Sequence, residues 1–214
     1  TRQMTVELHL GDCLEVMRGM PDKSVDAVIT DLPYGTTACS WDEIIPFAPM
    51  WEQVNRINKG VFVTTASQPF TSKLVMSNLK GFRHEWIYKK IAGSNFATCK
   101  YQPMKEHENV LVFSEQTPPY HPIMQERNGS GSDRIKYPHN PSNTGKRAFI
   151  GGLEVKETTQ GKELRYPSSV QTFNNRLNGD RGLHPTQKPV ALYEYLVRTY
   201  TNEGDTVLDF VMGS

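Results

Sequence analysis

The chain of 214 residues is long enough to bury a substantial core, and its length permits one or two domains. Its formal net charge of +1 excludes a uniformly basic nucleic-acid coat, so any attraction to DNA must be local. The three cysteines are odd in number and lack metal-ligand spacing, and neither a membrane-spanning apolar run nor a signal peptide is recognisable. A reducing cytoplasm, without a membrane partner, is the expected location.

The first predicted elements are a strand and a helix. Apolar and polar residues alternate at positions 6–10, which predicts a strand, and Gly11 then interrupts the pattern. Residues 13–20 form an amphipathic pattern that predicts a helix. Asp12 stands immediately before this helix, where an N-cap is expected.

The most informative stretch follows the next predicted strand, an apolar run at residues 25–29. Ligands bind beyond the carboxyl ends of strands in open α/β sheets, and Asp31 stands at that place. Its carboxylate and the Leu32 carbonyl, which Pro33 restricts to an extended backbone, can accept both N–H groups of an amine. Tyr34 offers a face for stacking. This set suits an exocyclic amine on a flat base, although an ordinary strand-to-turn junction uses similar residues.

Strands and helices then alternate along the chain. Helices are predicted at residues 46–57 and 69–79, and strands at residues 60–65, 82–88 and 110–113. This alternation indicates βαβ units and a parallel sheet. The polar stretch 89–96 is predicted to be a loop that can reach a phosphate or a base. Trp41, in the polar segment before the first of these helices, is expected to pack or to stack beside a base pocket.

His107 and Glu108 stand just before the strand predicted at residues 110–113. Such a pair is compatible with a metal site or a general base. Because no second histidine stands at helical ligand spacing, a metal is not expected. A structural role at the edge of the pocket is the preferred interpretation.

Residues 114–183 differ in character from the rest of the chain. They contain 8 of the 16 glycines and few periodic apolar runs, which is typical of an insertion of loops and short strands. They carry 10 Lys and Arg against 7 Asp and Glu, a net charge of +3. We expect most of these basic side chains to contact phosphates or to be solvated surface charges, and two or three to read base edges. The candidates are Arg127, Arg134, Lys136, Lys146, Arg147, Arg165, Arg176 and Arg181.

The last part of the chain returns to regular elements. Residues 189–200 have apolar positions at helical spacing and begin with a proline, which predicts a helix. Thr186, Gln187 and Lys188 precede it and can present a hydroxyl, an amide and an ammonium group. Residues 206–209 predict a strand that leads into a glycine turn.

Three of these segments resemble one enzyme family. The sequence Asp31-Leu32-Pro33-Tyr34 resembles the Asp-Pro-Pro-Tyr motif of S-adenosylmethionine-dependent DNA amino-methyltransferases, with leucine in place of the first proline. Residues 184–189 resemble the segment before the first cofactor-side helix, and residues 207–214 resemble the start of the cofactor-binding loop. The order of the motifs resembles the circularly permuted β group, which occurs in restriction-modification systems and in phages.

The resemblance implies the reaction and its residues. A methyl group would pass from S-adenosyl-L-methionine to adenine N6 in double-stranded DNA, with Asp31, Leu32, Pro33 and Tyr34 as the catalytic residues. Cytosine N4, an RNA amine or a protein amide stays open as the acceptor. The Leu32 substitution and the early end of the cofactor loop also leave open a DNA-binding remnant without catalytic activity.

The resemblance also implies a cofactor site. The matching positions are Asp12, Cys13, Thr186, Lys188, Asp209, Phe210 and Gly213. Asp12 would bond the adenine amino group of the cofactor, and one residue can serve both this role and the helix cap. Thr186 and Lys188 would face the carboxylate of the methionine part. Phe210 and Val211 replace the frequent Pro-Phe pair of the family, which moves the aromatic ring.

The fold implied is a Rossmann-like α/β methyltransferase fold with a loop-rich insertion. Residues 1–113 would be its catalytic part, 114–183 a target-recognition insertion, and 184–214 the start of its cofactor-binding part. Because the family continues beyond the position of Ser214, we expect the fold to be C-terminally incomplete. The polypeptide alone is then expected to bind the cofactor weakly, to be inactive, and to expose a sheet edge that favours a homodimer.

Overall fold

The structure, a computed structural model, describes residues 5–37, 39, 42–126, 164–175 and 187–212. They fall into two compact units, a larger one within residues 1–121 and 169–214 and a smaller one within 122–168. The division into 1–113, 114–183 and 184–214 stays a prediction. Trp41 lies outside the described residues. In the described ranges, the helices are too short or too polar to cross a membrane.

The helices and strands alternate over most of the larger unit. The helices are α1 (Cys13–Gly19), α2 (Phe47–Ile57), α3 (Phe70–Ser77) and α4 (Val190–Tyr200). The strands, in chain order, are β1 (Val25–Thr30), β2 (Asn58–Ala66), β3 (Phe82–Ser94), β4 (Lys105–Phe113), β5 (Gln125–Glu126), β6 (Leu164–Arg165), β7 (Val170–Phe173) and β8 (Val207–Leu208). Strands β5 and β6 pair with each other in the smaller unit, and the other six form one sheet.

The six-stranded sheet has the order β7-β3-β4-β2-β1-β8. The prediction of a parallel sheet is correct for β1, which pairs in parallel with both β2 and β8. It is wrong for β4, which runs antiparallel to β2 and to β3. The connection from β3 to β4 contains only a short 3-10 helix, Phe96–Thr98, and a return in parallel needs a crossover of a dozen residues or more.

Helices cover the sheet on both faces, as expected for an α/β fold. On one face, α1, α2 and α3 bury Met17, Trp51 and Phe70 among the side chains of a large apolar cluster. On the other face, α4 buries Leu192 and Leu196 against side chains of the central strands. This arrangement confirms the predicted fold class. It also leaves the carboxyl ends of β1, β2 and β8 together at one edge.

The predicted strand at residues 6–10 is wrong. These residues belong to no strand, and Val6, Leu8 and Leu10 are exposed by 70%, 72% and 105% of their reference areas. Alternation of apolar and polar residues stabilises a strand only where a neighbour pairs with its backbone and a layer covers its apolar face. Within the described part of the chain, residues 6–10 have neither.

The predicted polar loop at residues 89–96 is also wrong over most of its length. Residues 89–94 continue β3, where Lys89 pairs with His107 of β4 on one side and with Thr172 of β7 on the other. Polar composition indicated a loop, but neighbouring strands on both sides satisfy the backbone here. For the same reason His107 and Glu108 lie inside β4 and not before it.

A hydroxyl at the end of α4 joins this helix to the sheet. Tyr200 is fully buried, and its hydroxyl accepts a hydrogen bond from the Trp86 indole nitrogen at 2.6 Å. We expect Tyr200→Phe to lower the free energy of unfolding by about 1–3 kcal/mol, because it leaves this buried donor without an acceptor. Urea denaturation measures the change. Tyr101→Phe, at an exposed tyrosine, is the control, and equal stability of the two variants would contradict the interpretation.

Candidate active site

The candidate site lies where parallel strands end at the same edge of the sheet. Asp31 follows the last residue of β1, and Thr65 lies near the end of the adjacent β2. The Thr65 hydroxyl donates a hydrogen bond to Asp31 Oδ1, and the Tyr34 hydroxyl lies 3.0 Å from the same oxygen. Two hydroxyl groups therefore fix one oxygen of the carboxylate that the sequence analysis selected.

The second oxygen of Asp31 binds a lysine from the far end of the chain. Lys188 Nζ lies 2.7 Å from Asp31 Oδ2 and 3.4 Å from Glu108 Oε2. It also lies 5.3 Å from the centre of the Tyr34 ring, within the range of a cation–π contact. The Lys188 side chain is only 11% exposed, so these contacts form in a largely desolvated place.

Glu108 extends this network to a second lysine. Its Oε1 lies 2.5 Å from Lys90 Nζ, and its Oε2 lies 3.1 Å from the Tyr34 hydroxyl. We call Asp31, Glu108, Lys90 and Lys188 the acid–lysine cluster. It contains two carboxylates and two ammonium groups, which compensate one another at the pocket. The sequence analysis expected a structural role for Glu108, and these contacts are consistent with one.

The charges of the cluster follow from burial and pairing. Burial alone would raise the pKa of Glu108, but Lys188 and Lys90 outweigh it and lower the pKa. Burial alone would lower the pKa of Lys188, but Asp31 and Glu108 outweigh it and raise the pKa. Burial, followed by the charges of Asp31 and Glu108, raises the pKa of Tyr34 well above its ordinary value. At neutral pH Glu108 is therefore ionised, Lys188 is charged and Tyr34 keeps its proton.

The ring of Tyr34 has one face covered. It stacks on Phe70, with ring centres 5.4 Å apart and planes 25° apart, so a base can stack only on its other face. The adjacent Leu32 is buried, and its backbone N–H lies 3.4 Å from the Thr64 hydroxyl. Leucine in place of proline therefore anchors the motif through the core. Pro33, between these two residues, is partly buried.

Asp42 organises the loop after Tyr34, and the sequence analysis missed it. Its carboxylate accepts hydrogen bonds from the backbone N–H groups of Gly35, Thr36 and Thr37, at 2.7–2.9 Å, and from the Thr37 hydroxyl at 2.8 Å. Burial acts to raise the pKa of Asp42, but these donors outweigh it and lower the pKa. An aspartate five to seven residues after its donors gives no sequence signal, because the bonds depend on how the loop turns.

Asp209 and Phe210 lie at the same edge, beyond β8. Asp209 Oδ1 accepts hydrogen bonds from the Thr30 hydroxyl at 2.6 Å and from the Val211 backbone N–H at 3.1 Å. Desolvation, opposed by these donors and assisted by the charge of Asp31, raises the pKa of Asp209. The Phe210 ring stacks on Phe62 with ring centres 6.4 Å apart. Asp209 therefore lies within the electrostatic influence of the predicted catalytic aspartate, and Phe210 packs on the adjacent strand β2.

Asp12 and Cys13 lie at the start of α1. Asp12 Oδ1 accepts from the backbone N–H groups of Leu14 and Glu15 at 3.0 and 3.1 Å, which confirms its predicted role as an N-cap. Desolvation and then the charge of Asp12 raise the pKa of the half-buried Cys13. Their predicted contact with a cofactor stays a prediction.

Other predicted site residues lie elsewhere. Arg165 lies in β6 of the smaller unit. Outside the described residues lie Arg127, Arg134, Lys136, Lys146, Arg147, Arg176, Arg181, Thr186 and Gly213. Among the residues that are described, no group of three histidines, cysteines or carboxylates can hold a metal ion.

The site contains one further residue that the sequence analysis did not select. Tyr193 lies in the first turns of α4, and its hydroxyl is buried. The charges of Asp31 and Asp209 act on it, and Thr65 lies beside it. In the sequence, this tyrosine looks like one more aromatic residue of an amphipathic helix.

Comparisons with known proteins agree with the family that the sequence motifs resemble. Residues 25–214 match the N6/N4 methyltransferase family model, described as DNA methylase. The chain is 26% identical over 227 residues to the type II methyltransferase M.HpaI of Haemophilus parainfluenzae, a match that covers 99% of this chain but only 65% of that protein. It is 26% identical over 234 residues to the type II methyltransferase M1.MboII of Moraxella bovis, covering 97% and 84%.

Solved structures share the fold. The M1.HpyAVI–SAM complex has a TM-score of 0.56 and 18% identity, and the match covers 94% of this chain and 80% of that one. The PvuII DNA methyltransferase, which is cytosine-N4-specific, has a TM-score of 0.59 and 16% identity, with coverage of 94% and 72%. At these identities the likeness is one of fold.

We expect the acid–lysine cluster to stabilise the folded protein through the charge of Glu108. We expect Glu108→Gln to lower the free energy of unfolding at pH 7 by about 3 kcal/mol, because it leaves buried ammonium groups uncompensated. The pKa of Glu108 is lower in the folded protein than in the unfolded chain, where it is about 4.3. Its stabilisation is therefore complete above that pH and is lost as the pH falls through the folded pKa.

Urea denaturation at pH 7 and in acid tests this expectation. The difference between the wild type and Glu108→Gln should shrink as the pH falls. Glu194→Gln, which removes an exposed carboxylate 3.2 Å from Arg198, serves as the control and should change little at either pH. A loss of equal size at both pH values would mean that the charge of Glu108 does not stabilise the fold.

Proposed function

Because the chain belongs to the DNA methylase family of the N6/N4 model, we propose that it transfers a methyl group from S-adenosylmethionine to adenine N6 in double-stranded DNA. The observation that carries this proposal is the Asp31 carboxylate, held by Thr65 and Tyr34 at the edge of the sheet beside Asp209. A fixed acceptor at this place suits the binding of an exocyclic amine.

The acceptors orient the lone pair of the amine. The lone pair of an aromatic amine is delocalised into its ring, so the nitrogen is a weak nucleophile. Two acceptors, the Asp31 carboxylate and the Leu32 carbonyl, would bond both N–H groups and turn the lone pair towards the methyl donor. Thr65 and Tyr34 occupy Oδ1 and Lys188 uses only part of Oδ2, so Oδ2 keeps a free lone pair for the amine. Positioning of this kind lowers the barrier without a proton-abstracting base.

The target base must leave the duplex to reach Asp31. Extrusion costs a few kcal/mol, and stacking on the face of Tyr34 that Phe70 does not cover offsets about 1–3 kcal/mol of this cost. Phe70, packed against the other face, holds the Tyr34 ring in place. The basic side chains predicted at residues 114–183 would hold the DNA backbone, and Arg165 of β6 is the one among the described residues.

The residues present fit a cationic cofactor. S-adenosylmethionine, when bound, supplies an electrophilic methyl group on a sulfonium centre. The carboxylates of Asp209 and Asp31, at adjacent strand ends, suit its positive groups, and Phe210 offers apolar surface beside them. Lys188 is engaged with Asp31 and Glu108, so its predicted contact with the cofactor carboxylate would require it to share or exchange these partners.

Cytosine N4 is the second candidate acceptor. Cytosine carries the same amine beside a ring nitrogen, and the acceptors of Asp31 and Leu32 suit both bases. The match to the M.HpaI relative covers only 65% of that protein, and it therefore does not decide between the two acceptors.

The identity of the methylated base can be measured directly. The protein is incubated with double-stranded DNA and S-adenosylmethionine carrying a labelled methyl group, and the DNA is then digested to nucleosides. We expect the label in N6-methyldeoxyadenosine. Label in N4-methyldeoxycytidine would favour the second candidate. DNA that is bound but unlabelled would contradict both and favour a binding protein without catalytic activity.

A substitution at Asp31 tests the mechanism. We expect Asp31→Asn to lower kcat by roughly 10²–10³-fold, because loss of one charged group that positions the reacting atom costs about 2.7–4 kcal/mol. Asparagine is preferred to alanine because Asp31 also bonds Thr65, Tyr34 and Lys188. Asp22→Asn, at an exposed aspartate that pairs with Arg56, is the control. Near-normal turnover of Asp31→Asn would remove Asp31 from the mechanism.

A further inference from the structure

Tyr193 carries a polar group that the fold leaves without a partner. Its hydroxyl is buried and, among the described residues, makes no hydrogen bond. An unsatisfied buried polar group costs about 1–3 kcal/mol, a cost that phenylalanine at the same position would avoid. Such a group calls for an explanation, and an absent ligand is one of the usual ones.

The surroundings of this hydroxyl are those of the candidate site. Tyr193 lies on α4, within the electrostatic influence of Asp31, Asp209 and Glu108, and beside the Thr65 hydroxyl. Thr65 already donates its proton to Asp31, and Thr30 donates its proton to Asp209. Of these three hydroxyl groups, that of Tyr193 is the one that donates no hydrogen bond within the described part of the chain.

The hydroxyl acts as a donor. Burial, followed by the charges of Asp31 and Asp209, raises the pKa of Tyr193 well above its ordinary value. The phenol therefore keeps its proton at neutral pH. The Tyr193 hydroxyl is thus a neutral donor close to the carboxylate of Asp31, which is an acceptor. Together they can recognise a ligand that presents an acceptor next to a donor.

We propose that the Tyr193 hydroxyl donates a hydrogen bond to a ring nitrogen of the target base. This nitrogen stands next to the amine that donates a hydrogen bond to Asp31, and in adenine it is N1. This inference rests on the proposed function. Together the two side chains recognise an amine next to an unprotonated ring nitrogen, a pattern that adenine and cytosine share. Guanine and thymine present a carbonyl next to an N–H group, and the pair therefore rejects them. Extrusion of the base makes this edge available.

Another tyrosine of the same helix provides a matched control. Tyr195 also has a buried hydroxyl without a partner among the described residues. It lies about 200° from Tyr193 around the helix axis. Its ring packs edge-on against Trp86 and Phe173, with ring centres 5.8 and 5.7 Å away, and not beside the carboxylates. Tyr193→Phe and Tyr195→Phe therefore remove the same group from different surroundings.

The test combines the protein variant with a base analogue. We expect Tyr193→Phe to lower kcat/KM about tenfold on a DNA duplex that contains an unmodified adenine at the site that the wild type methylates. In the same duplex with 1-deazaadenine as the target, where C–H replaces N1, Tyr193→Phe and the wild type should react at the same rate. Tyr195→Phe should behave as the wild type on both duplexes. A tenfold loss by Tyr193→Phe on both duplexes would overturn the proposal.

Two measurements without turnover complete the test. Calorimetry should give the same S-adenosylmethionine Kd for Tyr193→Phe and the wild type, and a weaker affinity of the variant would mean that the hydroxyl binds the cofactor instead. The Tm of Tyr193→Phe should equal or exceed that of the wild type, because the hydroxyl has no partner in the free protein. If the wild type methylates adenine and the deazaadenine comparison fails, only this inference is lost. If the wild type methylates no DNA, the proposed function fails as well.

Discussion

The ion pair between Asp31 and Lys188 is the interaction on which the site depends. It joins residues 157 positions apart, at a Nζ–Oδ2 distance of 2.7 Å in a largely desolvated place. Burial of two charges is expensive unless the remaining lone pairs and protons are also satisfied. Thr65 and Tyr34 satisfy Asp31, and Glu108 shares Lys188 and binds Lys90. The pair and its neighbours therefore form or fail together, and the motif is shaped by residues far away in the sequence.

This arrangement explains how a short motif can keep its geometry without its first proline. Leu32 is buried in the core, and Tyr34 packs on Phe70 of the same apolar cluster. Beyond Tyr34, the Asp42 carboxylate accepts hydrogen bonds from three backbone N–H groups and thereby fixes the following loop. Packing, an ion pair and a carboxylate cap thus supply rigidity that the proline ring would otherwise provide. Asp31 Oδ2, the proposed acceptor for the amine, receives no hydroxyl donor within the described residues.

The site is also where the protein gives up stability. Among the described residues the buried Tyr193 hydroxyl has no acceptor, and Asp209 has a raised pKa because it is desolvated close to a second carboxylate. Neither feature helps the free protein to fold, and under the proposed function a ligand would bring a matching group to each. Natural proteins depart from full satisfaction of buried polar groups mainly at functional sites. At Trp86 and Tyr200, by contrast, a buried donor and a buried acceptor are matched.

The sequence by itself determined the features that depend on near neighbours. Periodicity predicted α1 to α4 and the buried strands β1 and β2, the position of Asp12 predicted the cap of α1, and three motifs predicted the family. Tertiary structure decided the rest. Residues 6–10 alternate but are not a strand, whereas the polar residues 89–94 are one, because strands exist only where neighbours pair with them. The partners of Lys188 and Asp42 and the surroundings of Tyr193 could not be predicted either, since they are set by the packing of distant elements and by the turn of a loop, which local pattern does not record.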